Sequence, residues 1–215
     1  VGQLKLRLWI SKLKEKEIPH YINIESQENS GKEHIANYIA SYISHSEIIY
    51  LTMNSKQMRT ILKGLKETTE KFVLILPDLH NASQAVSNLL LKFTENPPEN
   101  VWIITTSLPL GEDYPSPLTS RAHRISLDKY SRMEITEFTE NPDVLDVAET
   151  PGEALILNGV DLTEIKKLVK QTIDTVQDFS WDSMLALNKY ICIKNEDETK
   201  PTIHTLLKLF EKELE

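Results

Sequence analysis

The amino-acid sequence predicts an α/β fold, with a parallel sheet flanked by helices and followed by a region that contains only helices. Strand and helix patterns alternate over the first two thirds of the 215 residues, which is typical of a parallel sheet covered on both faces. The segment 72–76 is continuously apolar, as expected for a strand buried within such a sheet. Near Asp128 the β pattern ends, and apolar residues then recur only at helical spacing.

The elements of the α/β part follow one another in a regular order. Helices are indicated by apolar residues three or four positions apart, and strands by short runs of β-branched and aromatic residues. In chain order these are helix 4–17, strand 21–25, helix 33–43, strand 48–51, helix 55–66, strand 72–76, helix 83–95, strand 101–106 and strand 124–127.

The region after Asp128 is predicted to be helical. Asp161 precedes the segment LTEIKKLVKQTIDTV, and Glu164 follows three residues later, which resembles a capping box. Further helices are predicted from Ser180 through Ile191 and at the C-terminus. The apolar stripes of the first and last of these helices are Leu162, Ile165, Leu168, Val169 and Ile173, and Ile203, Leu206, Leu207, Phe210 and Leu214.

Composition and charge exclude several classes of protein. No apolar run is long enough to span a membrane and the N-terminus is charged throughout, so neither a membrane span nor a signal peptide is predicted. The only cysteine, Cys192, excludes an internal disulfide and a cysteine-based zinc module, and it favours a reducing, cytoplasmic location.

Residues 1–130 carry 15 Lys and Arg against 14 Asp and Glu, whereas residues 131–215 carry 9 against 18. The net charge of −8 therefore lies in the last third, which is an unfavourable surface for direct DNA binding.

One stretch, residues 83–121, carries the clearest motifs of the chain. Its helix reads SNLLLKFTENPP, its strand ends in Thr105 and Thr106, and it closes with Ser120 and Arg121. This order resembles clamp-loader AAA+ subunits, above all the DNA polymerase III delta-prime type. The resemblance implies an AAA+ P-loop-type α/β core over 1–128, a small helical lid over 129–159 and a C-terminal helical segment over 160–215 that corresponds to a truncated collar.

The loop after strand 21–25 stands where a phosphate loop of the form GxxxxGK[ST] belongs. Gly31 and Lys32 fit that pattern and are the candidate nucleotide-binding residues. Ser26 takes the place of the first glycine and Glu33 that of the magnesium-binding hydroxyl, while Glu28 adds a further negative charge. Because two carboxylates near a triphosphate oppose its binding, Lys32 is expected to pair with Glu28 or Glu33 instead of ATP.

The other nucleotide elements implied by the resemblance are also altered. Leu76 and Pro77 stand where the family has its metal-organising and catalytic carboxylates, and Asp78 is the nearest acidic residue. In the segment TPGEAL, Glu153 takes the place of an arginine that in the family reaches the nucleotide from the lid. We therefore expect no metal site and no hydrolysis by this chain alone. No cofactor is expected to be required, and residual binding of ATP or ADP stays open.

The resemblance assigns Arg121 the role of an arginine finger that acts in trans, in the ATP site of a neighbouring subunit. A guanidinium is always charged and binds phosphate oxygens in a fork, which suits this role. The alternative is an ordinary surface arginine paired with Asp113 or Asp128. Arg124 is a secondary candidate for the finger.

These residues together predict a non-hydrolysing clamp-loader subunit of a replicative DNA polymerase complex. Its expected partners are other clamp-loader AAA+ subunits in a hetero-oligomer, with the sliding clamp and polymerase nearby, and it would meet DNA only indirectly. The four-cysteine zinc module usual in delta-prime subunits is missing. Two alternatives stay open: a divergent P-loop ATPase that uses Lys32 and Asp78, and an AAA+-derived scaffold for protein interactions.

Overall fold

A computed structural model describes residues 3–12, 14, 17–43, 45–109, 117–118, 120–160 and 162–177. The chain divides into two compact units, of which one is formed by Gln3–Asp128 and the other contains the chain from Lys129 onward. The predicted helices over 180–191 and at the C-terminus lie outside the described residues, as does Cys192. Among the described helices, none has the length and apolar character needed to cross a membrane.

The first unit confirms the predicted α/β fold class. Its strands are β1 (Tyr21–Glu25), β2 (Ser46–Tyr50), β3 (Lys71–Leu76), β4 (Val101–Ser107) and β5 (His123–Ser126). Its α-helices are α1 (Leu4–Lys12), α2 (Lys32–Ser41), α3 (Ser55–Gly64) and α4 (Gln84–Thr94), and a short 3-10 helix spans Leu79–Asn81. Helix α1 is shorter than the predicted 4–17.

The five strands form one parallel sheet in the order β2-β3-β4-β1-β5. Glu25, the last residue of β1, lies opposite Ser107 of β4 on one side and Ser126 of β5 on the other. The carboxyl ends of these three strands therefore meet at one edge. Because ligands of open α/β sheets bind outside that edge, the loop that follows β1 lies where a functional site is expected.

Alternate side chains of the strands serve two apolar layers, one on each face of the sheet. The layer under α3 and α4 includes Met58, Leu62, Val86, Leu90, Phe93, Leu74, Leu76, Val101 and Ile103. The layer under α1 and α2 includes Ile10, Ala36, Ile39, Ala40, Ile22, Ile24, Val73, Ile75, Trp102 and Ile104. Burial of these side chains is the main source of stability for the unit.

Helices α3 and α4 begin at side chains that cap their free N–H groups. Asn54 accepts hydrogen bonds from the N–H groups of Lys56 and Gln57, and Ser83 accepts one from Val86. Helix α4 ends at Thr94, with Glu95 as its C-cap, just before the Pro97-Pro98 pair, which cannot continue a helix.

The second unit is helical in its described part. Its helices are α5 (Arg132–Ile135), α6 (Pro142–Leu145), α7 (Pro151–Leu157) and α8 (Leu162–Gln177). They share a small apolar core that includes Ile135, Val144, Val147, Ala154, Leu157, Leu162, Ile165 and Val169. Ser131 and Glu134 form a capping box at the start of α5, and the hydrogen bonds that Glu134 accepts from Ser131 lower the pKa of its carboxyl group.

A cluster of polar side chains is buried in the sheet where β1, β4 and β5 end. Asn23 donates to Glu25 Oε1 at 2.9 Å and to Ser107 Oγ at 3.2 Å, and it accepts from Thr105 Oγ1 at 2.7 Å. Arg124 holds the Glu25 carboxylate in a fork, with Nε to Oε1 at 2.9 Å and Nη2 to Oε2 at 2.7 Å. The Glu25 side chain is only 4% exposed and that of Arg124 is 50% exposed. The guanidinium therefore neutralises a charge that is otherwise shielded from water.

Substitution of Arg124 tests this cluster. Arg124→Met removes the fork and leaves Glu25 as an unpaired, desolvated charge, so the free energy of unfolding should fall by about 2 kcal/mol. Chemical denaturation followed by tryptophan fluorescence measures the change. The matched control is Arg59→Met on the exposed face of α3, which should alter stability by less than about 0.5 kcal/mol. Equal stabilities of the two variants would refute the role of the pair, and Glu25→Met combined with Arg124→Met should recover part of the loss.

Candidate functional site

The loop between β1 and α2, residues 26–31, is held in a defined shape by hydrogen bonds to β4 and within the loop. The Ser26 N–H donates to the Ser107 carbonyl at 3.2 Å, and Ser30 Oγ donates to the Gln27 carbonyl at 2.8 Å. Asn29 and Gly31 adopt left-handed conformations with φ of 56° and 80°. Such conformations are most accessible to glycine and asparagine, and they bring the chain from the strand into the first turn of α2.

Lys32, the candidate phosphate ligand, is bonded to this loop. Its Nζ donates to the carbonyls of Ser26 at 3.0 Å and Gln27 at 2.8 Å, and the residue is only 8% exposed. Within the described residues, no carboxylate forms an ion pair with Lys32. The expectation that it pairs with Glu28 or Glu33 is therefore wrong, because the loop carbonyls lie within closer reach of the buried ammonium.

Burial lowers the pKa of Lys32, while Asp78, Glu28 and Glu33 oppose this shift in decreasing order. Asp78 thus exerts the largest stabilising effect of the three carboxylates on the charged ammonium. Although it comes two residues after Leu76, the last residue of β3, it acts electrostatically on the candidate site. These three carboxylates contribute negative potential at the ammonium, which opposes the binding of a phosphate anion.

Asp78 is held in place at the end of β3 by β4. It adopts a left-handed conformation with φ of 54°, and its N–H donates to Thr106 Oγ1 at 3.1 Å. Leu76 is fully buried and packs in the apolar layer of α3 and α4. The described residues contain no group of three or more His, Cys, Asp or Glu side chains placed to hold a metal ion.

Arg121, the candidate finger, lies near the end of α4. Its Nη1 donates to the Pro117 carbonyl at 2.9 Å and its Nη2 to Glu95 Oε1 at 3.5 Å. The side chains of Arg121 and Glu95 are 38% and 52% exposed. Its acidic partner is thus Glu95 and not Asp128, and Asp113 lies outside the described residues. The guanidinium has one backbone acceptor and one long ionic contact, so solvent reaches much of it.

Arg124 differs from Arg121 in its surroundings. Both ends of its fork are bonded to Glu25 within the same unit, and these hydrogen bonds raise the pKa of the guanidinium. An arginine committed in this way is poorly suited to reach a neighbouring molecule. The secondary assignment of Arg124 as a finger is replaced by a structural role.

Glu153 lies in the first turn of helix α7 in the second unit, and Thr150 caps that helix. Thr150 Oγ1 accepts from the Glu153 N–H at 3.3 Å, and Glu153 Oε2 accepts from the Glu149 N–H at 2.9 Å. A carboxylate in the first turn also interacts favourably with the positive end of the helix dipole. Its presence where the family has an arginine therefore has a local structural reason.

The pairs Glu25–Arg124 and Glu95–Arg121 were missed by sequence reasoning. Their partners lie 99 and 26 residues apart, so no local spacing reveals them. One signal was available for the first pair. Asn23 and Glu25 interrupt the apolar strand YINIE, and polar side chains in a buried strand require partners.

Solved structures of other proteins share this fold over most of their length. RuvB of Thermotoga maritima, described as a Holliday junction branch migration motor, matches with a TM-score of 0.56 and 21% identity, over 94% of this chain and 73% of its own. A DNA polymerase III gamma subunit-related protein from the same organism matches with a TM-score of 0.53 and 16% identity, over 96% and 76%. No family sequence model matches the chain, and no curated protein matches it in sequence. The chain has an AAA+ P-loop-type fold, and at these identities the likeness establishes the fold alone.

The loop conformation predicts opposite effects for two glycine substitutions. An added Cβ meets no atom within 4 Å at either Gly31 or Gly64, so only backbone preferences differ. Gly31→Ala forces alanine into a left-handed conformation and should lower the free energy of unfolding by about 1 kcal/mol. Gly64→Ala lies within α3 and should raise it by about 0.5 kcal/mol. Denaturation curves of both variants give the signs, and a stabilising Gly31→Ala would contradict the loop geometry.

Proposed function

We propose that this chain is a non-hydrolysing AAA+ subunit of a clamp-loader type assembly and that it contributes Arg121 to the ATP site of a neighbouring subunit. The observation that carries the proposal is the position of Arg121. The guanidinium is partly exposed and lies next to the end of α4. It donates one hydrogen bond to the Pro117 carbonyl, and its ionic contact, to Glu95, is long. A residue that acts in another molecule must be accessible in this way, and a fork of N–H donors suits a transferred phosphoryl group.

The state of the chain's own loop supports the non-hydrolysing part. The Lys32 ammonium is directed at two loop carbonyls, and Glu33 stands where a magnesium-binding hydroxyl belongs. A working phosphate loop presents N–H groups and a free cation to the triphosphate, with a carboxylate that organises Mg²⁺. Here the cation is engaged, and the charged groups around it are acidic.

The proposed partners are AAA+ subunits that bind and hydrolyse ATP, in a complex that also includes a sliding clamp and a polymerase. Support comes from the motifs of residues 83–121 together with the fold shared with the gamma subunit-related protein. This chain would need no nucleotide of its own, and its contact with DNA would be made through other subunits. We place it in the cytoplasm because that is where such a complex works.

A divergent ATPase is the second candidate function, and one observation favours it. Asp78 opposes the lowering of the Lys32 pKa more than Glu28 or Glu33 does, so an acid acts on the cation at the edge of the sheet. In this reading Asp78 would organise Mg²⁺, and Lys32 would leave the carbonyls of Ser26 and Gln27 for a phosphate. The two functions differ in whether the isolated chain binds Mg-ATP.

Substitution of Arg121 tests the role in trans. In the complex reconstituted with its ATPase partners, Arg121→Ala should lower hydrolysis at the adjoining site by about a thousandfold or more, since an arginine finger contributes that much to phosphoryl transfer. Steady-state ATPase assays of the complex measure the effect. Arg121→Lys should rescue little, because lysine lacks the planar fork. Arg59→Ala, which removes an exposed charge elsewhere, should leave the rate unchanged, and an Arg121→Ala complex with wild-type activity would eliminate the finger role.

Nucleotide titration of the isolated chain tests the silent site. Millimolar Mg-ATP should leave the melting temperature of the wild type unchanged, and it should likewise leave that of Lys32→Met unchanged. A divergent ATPase at a hundredfold excess over its Kd would instead gain about 2.7 kcal/mol, which raises the melting temperature by several degrees. Thermal denaturation distinguishes the two outcomes, and a shift that is lost in Lys32→Met would establish the ATPase alternative.

A further inference from the structure

The Glu95–Arg121 pair, formed by the end of α4 and the turn that carries the finger, has a function of its own if Arg121 acts in trans. We propose that the Glu95 carboxylate is an internal acceptor that holds the Arg121 guanidinium until a phosphate of the neighbouring site displaces it. The inference rests on the proposed function. Glu95 is then a positioning residue that sets how readily Arg121 engages its target.

The geometry of the pair suits exchange of one acceptor for another. Glu95 Oε1 and Arg121 Nη2 are 3.5 Å apart, whereas charge-assisted hydrogen bonds between such groups are usually about 2.7–2.9 Å. By comparison, Arg124 binds the buried Glu25 carboxylate at 2.9 and 2.7 Å. The same chain thus contains one arginine fixed to a carboxylate by a tight fork and one whose ionic contact is single and long.

The position of Glu95 explains why the pair forms at all. Glu95 is the C-cap residue of α4, where the carbonyl groups give the helix a partial negative charge. A carboxylate is unfavourable at that end of a helix dipole, and a cation is favourable. The Arg121 guanidinium compensates both the carboxylate and the helix end, so it rests there in the absence of a stronger anion.

A phosphate oxygen offers the guanidinium the same kind of bond as the carboxylate, with more charge. Meanwhile the hydrogen bond from Nη1 to the Pro117 carbonyl orients the guanidinium without neutralising it. Since both partners of the ionic contact are more than one third exposed, the pair should favour the resting position by no more than about fivefold. Glu95 therefore delays engagement of Arg121 without preventing it.

Tripolyphosphate is a probe for the acceptor that displaces Glu95. In the 215-residue chain labelled with ¹⁵N, the Arg121 Nε–H resonance should shift on titration with tripolyphosphate, and Arg121→Lys identifies the resonance by its loss. Glu95→Gln keeps the shape of the side chain and removes its charge, so the apparent Kd should fall by about two- to fivefold. The matched control is Glu99→Gln, because Glu99 is an exposed carboxylate in the next turn with no described bond to Arg121, and it should change the Kd by much less.

Each outcome of the titration decides the proposal. Tighter binding in Glu95→Gln but not in Glu99→Gln supports the internal acceptor. An equal gain in affinity for tripolyphosphate in both variants would mean that only the net charge matters, and it would overturn the proposal. Unchanged binding in Glu95→Gln, or a wild-type Arg121 resonance that does not respond to tripolyphosphate, would overturn it as well.

A second readout in the reconstituted complex separates this inference from the function on which it rests. Glu95→Gln should lower the concentration of this subunit that gives half-maximal ATPase by about two- to fivefold and leave the maximal rate unchanged. Loss of ATPase in Arg121→Ala without any shift in Glu95→Gln would refute the internal acceptor and keep the finger. Full ATPase in Arg121→Ala would refute both.

Discussion

The structure depends on neutralising a carboxylate at the end of a central strand. Glu25 ends β1 between β4 and β5 and is almost fully withdrawn from water, where an unpaired charge is costly. Arg124 on β5 supplies the compensating charge, and Asn23 and Ser107 complete the hydrogen bonds. These bonds fix the edge strand β5 to the middle of the sheet. They also fix the point from which the loop 26–31 departs.

That fixed point has consequences for the loop above it. Because the loop begins at a strand end tied to both neighbours, its remaining freedom lies in residues 26–31, and Lys32 removes much of it by bonding to Ser26 and Gln27. In a nucleotide-binding loop a phosphate would occupy the ring of backbone groups and hold the lysine. Here the lysine itself supplies the contacts that order the loop. A loop that is ordered by its own side chain gains less from a ligand, which agrees with a silent site.

Features that depend on neighbouring residues in the sequence could be predicted, whereas contacts between distant residues could not. Strand β1 was predicted at its observed limits, because YINIE is a compact β-favouring run followed by turn residues. Strand β2 begins two residues earlier than predicted, since Ser46 and Glu47 on the sheet edge do not need to be apolar. The partners of Lys32, Arg121 and Arg124 were predicted wrongly or not at all. These partners depend on burial and on residues that the order of the strands brings together. The spacing of residues along the sequence predicts neither.

The contrast between the two arginines gives a physical criterion for a residue that acts in trans. A residue that serves its own chain gains most from short bonds to a partner that is withdrawn from water, as Arg124 does with the buried Glu25 carboxylate. A residue that serves a neighbour must leave its resting contacts when the neighbour arrives, so those contacts must be weak and exposed. Arg121 meets that requirement through a long, solvated contact with Glu95. One chain can therefore lose the nucleotide contacts of its loop 26–31 and still keep an exposed arginine near α4. The loop is ordered by bonds within the chain, whereas Arg121 must be able to leave its contacts.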